Sequence, residues 1–426
     1  MSEQANFLVQ LMSAGDCSEQ VPDIKRVKWM SEHLQQLGCR CDYQVFADTA
    51  NLYAEIGSRD AKKTLCFCGH CDVVPARNWT RKPAGEIVGD RVYGRGAVDM
   101  LGGVAGWFFA LKTVANENTR QHGKLLQDVR ITTLLTGDEE GAGTHGTQEM
   151  VEYLFNRGEK IDACIVGEPT SDYQQFGDYS EDIDDHKLDG LCYSRGGSLH
   201  FWVTVKGKSG HVAYVGEFDN PITKAVNLCD KLKQIDFAEF GKMTNLEIVS
   251  FHASNNTENV ILDDVKIHGN VRFFVDTREL GEDIMKKKIC VPDEANITGH
   301  IMFDARMGCD ILQQKIQAVI DDVCGQNCDV KYQCDRFGYA TDQSDDFIQL
   351  AMSCMKEYND ATKLVITRGC TDGEYMAKIA KSVCEIGLKC KMMHKIDEYT
   401  TIQDLEALTG IYTAIIKKFI QTNKSK

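Results

Sequence analysis

An apolar stretch of strand length, Thr64 to Cys68, breaks at Gly69 into His70 and Asp72. A glycine-rich turn, Tyr93-Gly94-Arg95-Gly96, then delivers Asp99 just before the apolar run Met100–Val114. Residues two apart on an extended chain face the same way, so His70 and Asp72 share a face. A carboxylate close behind a histidine is a common way to orient a metal-binding imidazole. Alone, a His-x-Asp after a strand reads more simply as a hydrogen-bonded loop histidine. It gains meaning only if acidic or histidine residues recur at other strand ends, and they do. Val129–Leu135 reads as a strand running into Asp138-Glu139-Glu140-Gly141, and Ala163–Val166 as one ending in Gly167-Glu168-Pro169. Near the C-terminus, Lys391–His394 is an extended stretch ending in a histidine.

Helical spacing at Ile24–Leu37, Leu101–Val114 and Gln148–Phe155 alternates with these strands and with Cys41–Phe46 and Leu52–Ile56. That alternation predicts an α/β fold with a mostly parallel sheet. In such sheets ligands bind beyond the carboxyl ends of the strands, where His70, Asp99, Glu139, Glu140 and Glu168 all fall. After Glu168 the character changes. Ser171–Asp189 is polar and acidic and reads as an exposed loop spanning an insertion at 172–190. The strand Ser198–Val205, helix Asn220–Ile235, strands Leu246–His252 and Val265–Val275, helix Ile311–Val323 and strand Val330–Cys334 follow. That order is βαββαβ, a unit able to fold as its own domain. It carries an insertion at Gly281–Ile301 and a further strand at Ile301–Ala305. Helices at Phe347–Tyr358, Glu374–Lys381 and Gln403–Ile420 and a short strand at Leu364–Ile366 complete the chain. The expected division is a catalytic domain in two segments, 1–197 and 338–426, with an inserted domain at 198–337. A chain of 426 residues is long for one core, which agrees.

The net charge of −15 disfavours nucleic acid or an anionic membrane surface as a partner. No run of about 18 apolar residues exists, and Met1-Ser2-Glu3-Gln4 does not open a signal peptide. A cytoplasmic protein is expected. The 18 cysteines fit poorly with a secreted disulfide framework in so long a chain, and are read as reduced core or surface thiols.

His70, Asp99, Glu140, Glu168 and His394 offer nitrogen and oxygen donors without sulfur, which suits a catalytic zinc site. Five ligands exceed what one zinc takes from protein, but suffice for two if one carboxylate bridges. Neighbours on an extended chain point opposite ways, so one glutamate of Glu139-Glu140 can bind metal while the other takes a proton from water.

Six strings make a specific combination: Gly-His-Cys-Asp-Val-Val-Pro, Tyr-Gly-Arg-Gly-Ala-Val-Asp-Met, Asp-Glu-Glu-Gly, Ile-Val-Gly-Glu-Pro-Thr, Gly-Lys-Ser-Gly-His-Val-Ala-Tyr and His-Lys-Ile-Asp-Glu. On them the chain resembles the dizinc peptidase family that includes succinyl-diaminopimelate desuccinylase, acetylornithine deacetylase, aminoacylase and related carboxypeptidases. The resemblance implies a dizinc catalytic domain with an inserted dimerisation, or lid, domain, and a homodimer. It implies two zinc ions, with cobalt as a possible substitute. His70 and Glu168 would hold one, Glu140 and His394 the other, and Asp99 would bridge. Asp72 would orient His70, and Glu139 would be the general base. His211 would reach the site from the inserted domain of a partner subunit. Arg195, Asn259, Arg272, Cys370 and Thr371 match substrate-binding positions, with Arg306 a rival to Arg272. The implied substrate is a small anionic N-acyl amino acid. The stretches Gly-His-Val-Ala-Tyr, Asp-Asn-Pro and His-Lys-Ile-Asp-Glu look most like the desuccinylase branch, which cleaves N-succinyl-LL-2,6-diaminopimelate in lysine and diaminopimelate biosynthesis.

The chain also departs from that branch. Ser194-Arg195-Gly196-Gly197-Ser198 has one arginine where the branch has two, Cys370 stands for a threonine, and Cys71 for another. These changes leave the acyl group open, with acetylornithine deacetylase, aminoacylase or dipeptidase action as alternatives. Two further classes are a thiol enzyme, indifferent to chelators, and a non-catalytic metal-binding scaffold, which would lack Glu139. A dinucleotide site at Gly94-x-Gly96-x-x-Asp99 is disfavoured by its aspartate.

Overall fold

The computed structural model describes residues 2–18, 23–172, 187–237, 244–254, 257–273, 305–367 and 369–422. Most of the expected acidic loop, the whole Gly281–Ile301 insertion and the side chain of Arg306 lie outside the described residues. So does the strand expected at Ile301–Ala305, except Ala305, which opens a helix. The chain divides into two units. One comprises Met1–Tyr193, Thr341–Thr367 and Thr371–Lys426, the other Ser194–Ala340 and Arg368–Cys370.

The first unit is built on a mixed sheet. Its strands are β1 (Arg40–Phe46), β2 (Thr49–Gly57), β3 (Lys63–His70), β4 (Val129–Thr136), β5 (Ile161–Val166), β6 (Gly190–Arg195), β7 (Lys363–Thr367) and β8 (Ala380–Glu385). They lie in the order β1-β2-β4-β3-β5-β8-β6, with β7 beside β6. The central four, β4, β3, β5 and β8, run parallel. β1, β2 and β6 are antiparallel to their neighbours. The register pairs His70 with Thr136, Cys68 with Val166, and Val166 with Glu385, so the central strands end on one edge.

β3 is buried along almost its whole length, as its unbroken apolar run requires of a central parallel strand. The helix Leu101–Arg120 lies over it, with Trp107 stacked on Phe67 at 4.9 Å and its indole N–H bonded to Thr133 Oγ1 at 2.8 Å. Tyr412, on the helix Ile402–Gln421, meets both rings edge-on. A glycine is needed at 103, because a Cβ there would come within 2.4 Å of the Gly167 carbonyl. The first turn of that helix can therefore approach the backbone that carries Glu168.

The second unit keeps the βαββαβ order. Its antiparallel strands Asn245–His252, Asp264–Phe273, Gly197–Lys206 and Cys328–Arg336 lie side by side in that order. Alternation along Gly197–Lys206 sends Leu199, Phe201, Val203 and Val205 inward. There they meet Leu228 and Leu232 of the helix Pro221–Leu232, and Leu312, Ile316 and Ile320 of the helix Ala305–Cys324. Where the chain leaves and rejoins the first unit, the Thr341 N–H donates to the Tyr193 carbonyl at 2.9 Å.

Two expectations are corrected. The helix expected at Glu374–Lys381 is a single turn, Gly373–Met376, and the chain then enters β8. A short apolar run offers too few residues for periodicity to separate helix from buried strand. The cysteines are not all free thiols: Cys309 and Cys334 form a disulfide. Packing of the helix Ala305–Cys324 against the sheet brings these two inward-facing positions together. The other described cysteines form no disulfide.

Candidate metal centre

The parallel edge of the first unit gathers every metal-ligand candidate. His70 is the last residue of β3 and wholly buried. Its Nε2 lies 3.2 Å from Asp99 Oδ1, 3.5 Å from Glu168 Oε1 and 4.0 Å from Glu139 Oε2. On the far side, the more exposed His394 places Nε2 3.0 Å from Asp99 Oδ2 and 2.9 Å from Glu140 Oε1. Asp99 therefore presents one oxygen to each imidazole. Donor atoms of His70, Asp99 and Glu140 fall within 4.8 Å of one another, as do those of His70, Glu139 and Glu168. His394 does not end an extended stretch as expected. It follows a 3-10 turn at Cys390–Met392 and has φ of 61°, in the left-handed region.

The loop bearing the two glutamates is held by carboxylates. Asp138, read from sequence only as part of an acidic turn, is buried and accepts the backbone N–H groups of Ala142, Thr144 and His145 at 3.0, 3.0 and 3.2 Å. Its role as the centre of that loop shows only in the loop's conformation, which turns three N–H groups towards one aspartate. The carboxylate of Asp72 does not orient His70 directly. His70 Nδ1 lies 2.9 Å from the Asp72 main-chain carbonyl and 3.7 Å from its carboxylate. That carboxylate instead accepts the N–H groups of Glu139 and Glu140 at 3.1 and 2.9 Å. The reason is where the strand stops: β3 ends at His70, so Asp72 lies beyond it and the two side chains no longer share a strand face.

Charge is concentrated here. Burial opposes ionisation of His70, but hydrogen bonds to Asp99 and Glu168 outweigh it and push the imidazole well above its usual value. Bonds to Asp99 and Glu140 push His394 up to about 10. Burial would raise Asp99, yet the bonds from His394 and His70 hold it well below the carboxylate range. Burial pushes Glu139 well up against the pull of His70, helped by repulsion from Glu168, Asp372 and Glu140. Asp72 is pushed to about 7 by burial, against His70 and its two backbone N–H partners. Asp72, Asp99, Glu139, Glu140 and Glu168 thus face two imidazoles, both drawn towards the cationic form. Carboxylates packed this closely need compensating positive charge. Two divalent cations would supply it, and the donors are the oxygen and imidazole nitrogen such ions take at catalytic sites. The residues fit a two-metal centre.

Among the substrate-binding candidates, Thr371 turns inward. It is buried in the first unit, donating to Glu385 Oε1 at 2.6 Å and accepting the Gly373 N–H at 3.3 Å. The others lie in the second unit as two groups. Arg272 Nη1 contacts Cys370 Sγ at 3.7 Å, and Cys370 Sγ lies 3.5 Å from the Gly196 carbonyl. Arg195 is buried against the same turn, where a Cβ on Gly369 would stand 3.2 Å from its Nη1. Separately, exposed His211 pairs through Gly210–His211 with Val260–Ile261, and its Nε2 lies 3.1 Å from Asn259 Nδ2. The Ala213 N–H donates to His211 Nδ1 at 3.2 Å.

Comparison with known proteins follows the same lines. The profile of Peptidase family M20/M25/M40 matches residues 66–418. A succinyl-diaminopimelate desuccinylase of Rickettsia bellii is 30% identical over 406 residues, spanning 91% of this chain and 89% of the relative. The crystal structure of aminopeptidase PepT from Bacillus cereus superposes with a TM-score of 0.72 at 15% identity, covering 97% of each chain. The YXEP protein of Bacillus subtilis, described as a dinuclear metal binding peptidase, superposes with a TM-score of 0.65 at 14% identity, covering 98% of this chain and 99% of that one.

Proposed function

Because the chain belongs to peptidase family M20/M25/M40, we propose that it is a dizinc amide hydrolase releasing succinate from N-succinyl-LL-2,6-diaminopimelate. Hydrolysis of an amide at a metal centre follows from the family. The zinc, the acyl group and the cytoplasmic setting in lysine and diaminopimelate biosynthesis are the finer reading, supported by the desuccinylase relative. The observation that carries the metal chemistry is Asp99, with one oxygen towards each of two imidazoles.

In this reading His70 and Glu168 would hold one metal and Glu140 and His394 the second, with Asp99 shared between them. When bound, the metals supply Lewis acidity that polarises the amide carbonyl and activates water. The chain's own residues do the rest. Glu139, beside the ligands and raised in pKa, accepts a proton from the attacking water and returns it to the leaving nitrogen as the C–N bond breaks. Asp72 fixes Glu139 and Glu140 through their N–H groups. Arg195 and Arg272 are suited to the carboxylates of an anionic N-acyl substrate, and Cys370 lies beside Arg272. In a homodimer the partner subunit's His211, with Asn259 beside it, would help polarise the scissile carbonyl.

A panel of N-succinyl-diaminopimelate, N-acetylornithine, N-succinylornithine and simple dipeptides tests the substrate. Fastest turnover of the first is expected, and preference for a dipeptide would replace the acyl assignment. Chelation should abolish activity and zinc or cobalt restore it. Full activity without metal would reject the dizinc mechanism and return weight to a thiol enzyme.

A further inference from the structure

Two of the sequence strings contain residues that the proposed mechanism leaves without a role: Arg95 of Tyr-Gly-Arg-Gly and Glu398 of His-Lys-Ile-Asp-Glu. The fold brings them together across 303 positions. Both are buried, at 3% and 0% exposure. Arg95 Nη1 donates to Glu398 Oε2 at 2.5 Å. The other carboxylate oxygen, Oε1, accepts the N–H groups of Val98 at 2.8 Å and of Asp99 itself at 3.2 Å. Arg95 Nη2 reaches to 3.5 Å from the main-chain carbonyl of His394.

The surrounding backbone makes the same connection. The Gly94 N–H donates to the Glu398 carbonyl at 2.9 Å, and Tyr399–Thr401 pairs with Arg91–Tyr93. Asp397 accepts the N–H groups of Thr80 and Arg81, both at 3.0 Å. The segment that carries His394 is thus fastened to the loop that carries Asp99. Among these links, it is at Arg95 and Glu398 that side chains touch the ligand residues' own main-chain atoms on both sides.

We propose that Arg95 and Glu398 are positioning residues for one of the two metal positions, the one formed by Asp99, Glu140 and His394. The inference rests on the metal reading of those three residues. Bridging by Asp99 would need each oxygen aimed at a different metal position, the sides on which His70 and His394 lie, so a small backbone rotation that turns Oδ2 away from the His394 side weakens that position. A carboxylate behind the Asp99 N–H resists that rotation. Both oxygens of Glu398 are acceptors, so one side chain serves two N–H groups and a guanidinium. An amide in its place would turn an NH2 towards one of these donors. The pair is also neutral as a whole, so it fixes the loops without adding negative charge behind an already acidic centre. The other position shares Asp99, but its two remaining ligands are held differently. His70 is oriented by the Asp72 carbonyl, and Glu168 follows β5, neither of which Glu398 contacts.

This predicts an asymmetric metal defect. The full-length chain, stripped by chelation, is titrated with Zn2+ against a chromogenic chelator. Wild type should take two equivalents. Glu398→Gln should keep one near wild-type affinity and bind the other about ten- to a hundredfold more weakly, the usual effect of removing a residue that orients a ligand. Arg95→Lys, which keeps the charge but cannot span Glu398 and the His394 carbonyl, should show the same asymmetry more mildly. It provides the reading if Glu398→Gln does not fold. Two equivalents at wild-type affinity in both variants would overturn the proposal. So would equal weakening of both equivalents, which marks a general structural role. Wild type taking fewer than two equivalents would overturn the two-metal reading, and this proposal with it.

Discussion

At the scale of single residues, Glu139 and Glu140 are neighbours with different work. Glu140 Oε1 sits 2.9 Å from His394, whereas Glu139 is aimed at His70 from 4.0 Å. Glu139→Gln should therefore keep its metals and lose turnover by about 10²–10⁴-fold, towards the upper end because one group moves the proton twice. Metal analysis beside single-turnover kinetics checks this, and lost zinc would make Glu139 a ligand. His70, Asp99, Glu140 and Glu168 are legible as ligand candidates in the amino-acid sequence because each lies at or shortly after a strand end or a glycine turn, whereas His394 follows a 3-10 turn. What those residues do with their separate atoms is not. Asp72 uses its carbonyl for His70 and its carboxylate for another loop. Asp138, at the head of an acidic string, accepts three N–H groups from residues that follow it. Thr371 shares its motif with Cys370 yet faces the opposite way, into Glu385. Residue type and spacing do not carry that information, since it depends on how loops turn.

Among elements, β6 ends at Arg195, where the chain crosses from the first unit into the second. Its guanidinium lies against the 369–370 turn, which also meets Arg272 through Cys370. If this turn receives the acyl carboxylate, Arg195→Ala should lower kcat/KM for a succinyl substrate about ten- to a hundredfold more than for the acetyl analogue, matching a charge-assisted bond of about 1.5–3 kcal/mol. Equal losses on the two substrates would favour a deacetylase. Long periodic helices and the alternating strands of the second unit are recoverable from sequence. β8 is not, although it lies between β5 and β6 and is among the most enclosed strands. Buried parallel strands lack the polar alternation that identifies strands with one wet face. The helix Glu3–Ser13 gives a weak signal too, being short and close to the end of the chain.

For the whole molecule, the testable matter is assembly. His211 is exposed on the second unit, with Asn259 beside its ring. If it acts across a symmetric dimer, mixing Glu139→Gln with His211→Ala protein and re-forming the dimers should restore roughly a quarter of wild-type activity, since half the dimers are mixed and half of their sites are intact. Activity that stays at the level of the parents, with mixed dimers demonstrated, would confine His211 to its own chain. No described helix is long and apolar enough to cross a membrane, in keeping with the composition. The α/β class and the βαββαβ order are legible because both follow from the sequence of elements. The Cys309–Cys334 bond is not, because cysteine count and compartment say nothing about which thiols a helix and a strand will bring face to face.

The hydrogen bond between Thr341 and Tyr193 has a consequence for how such a chain can change over generations. The two ends left by excising residues 194–340 are already 2.9 Å apart, N to O. A turn of two or three residues would close the gap, about one strand spacing wide. Every metal-ligand candidate lies outside the excised span. Residues 194–340 can therefore be lengthened, replaced or deleted at two adjoining chain ends, while the segments that carry the metal-ligand candidates stay continuous with one another.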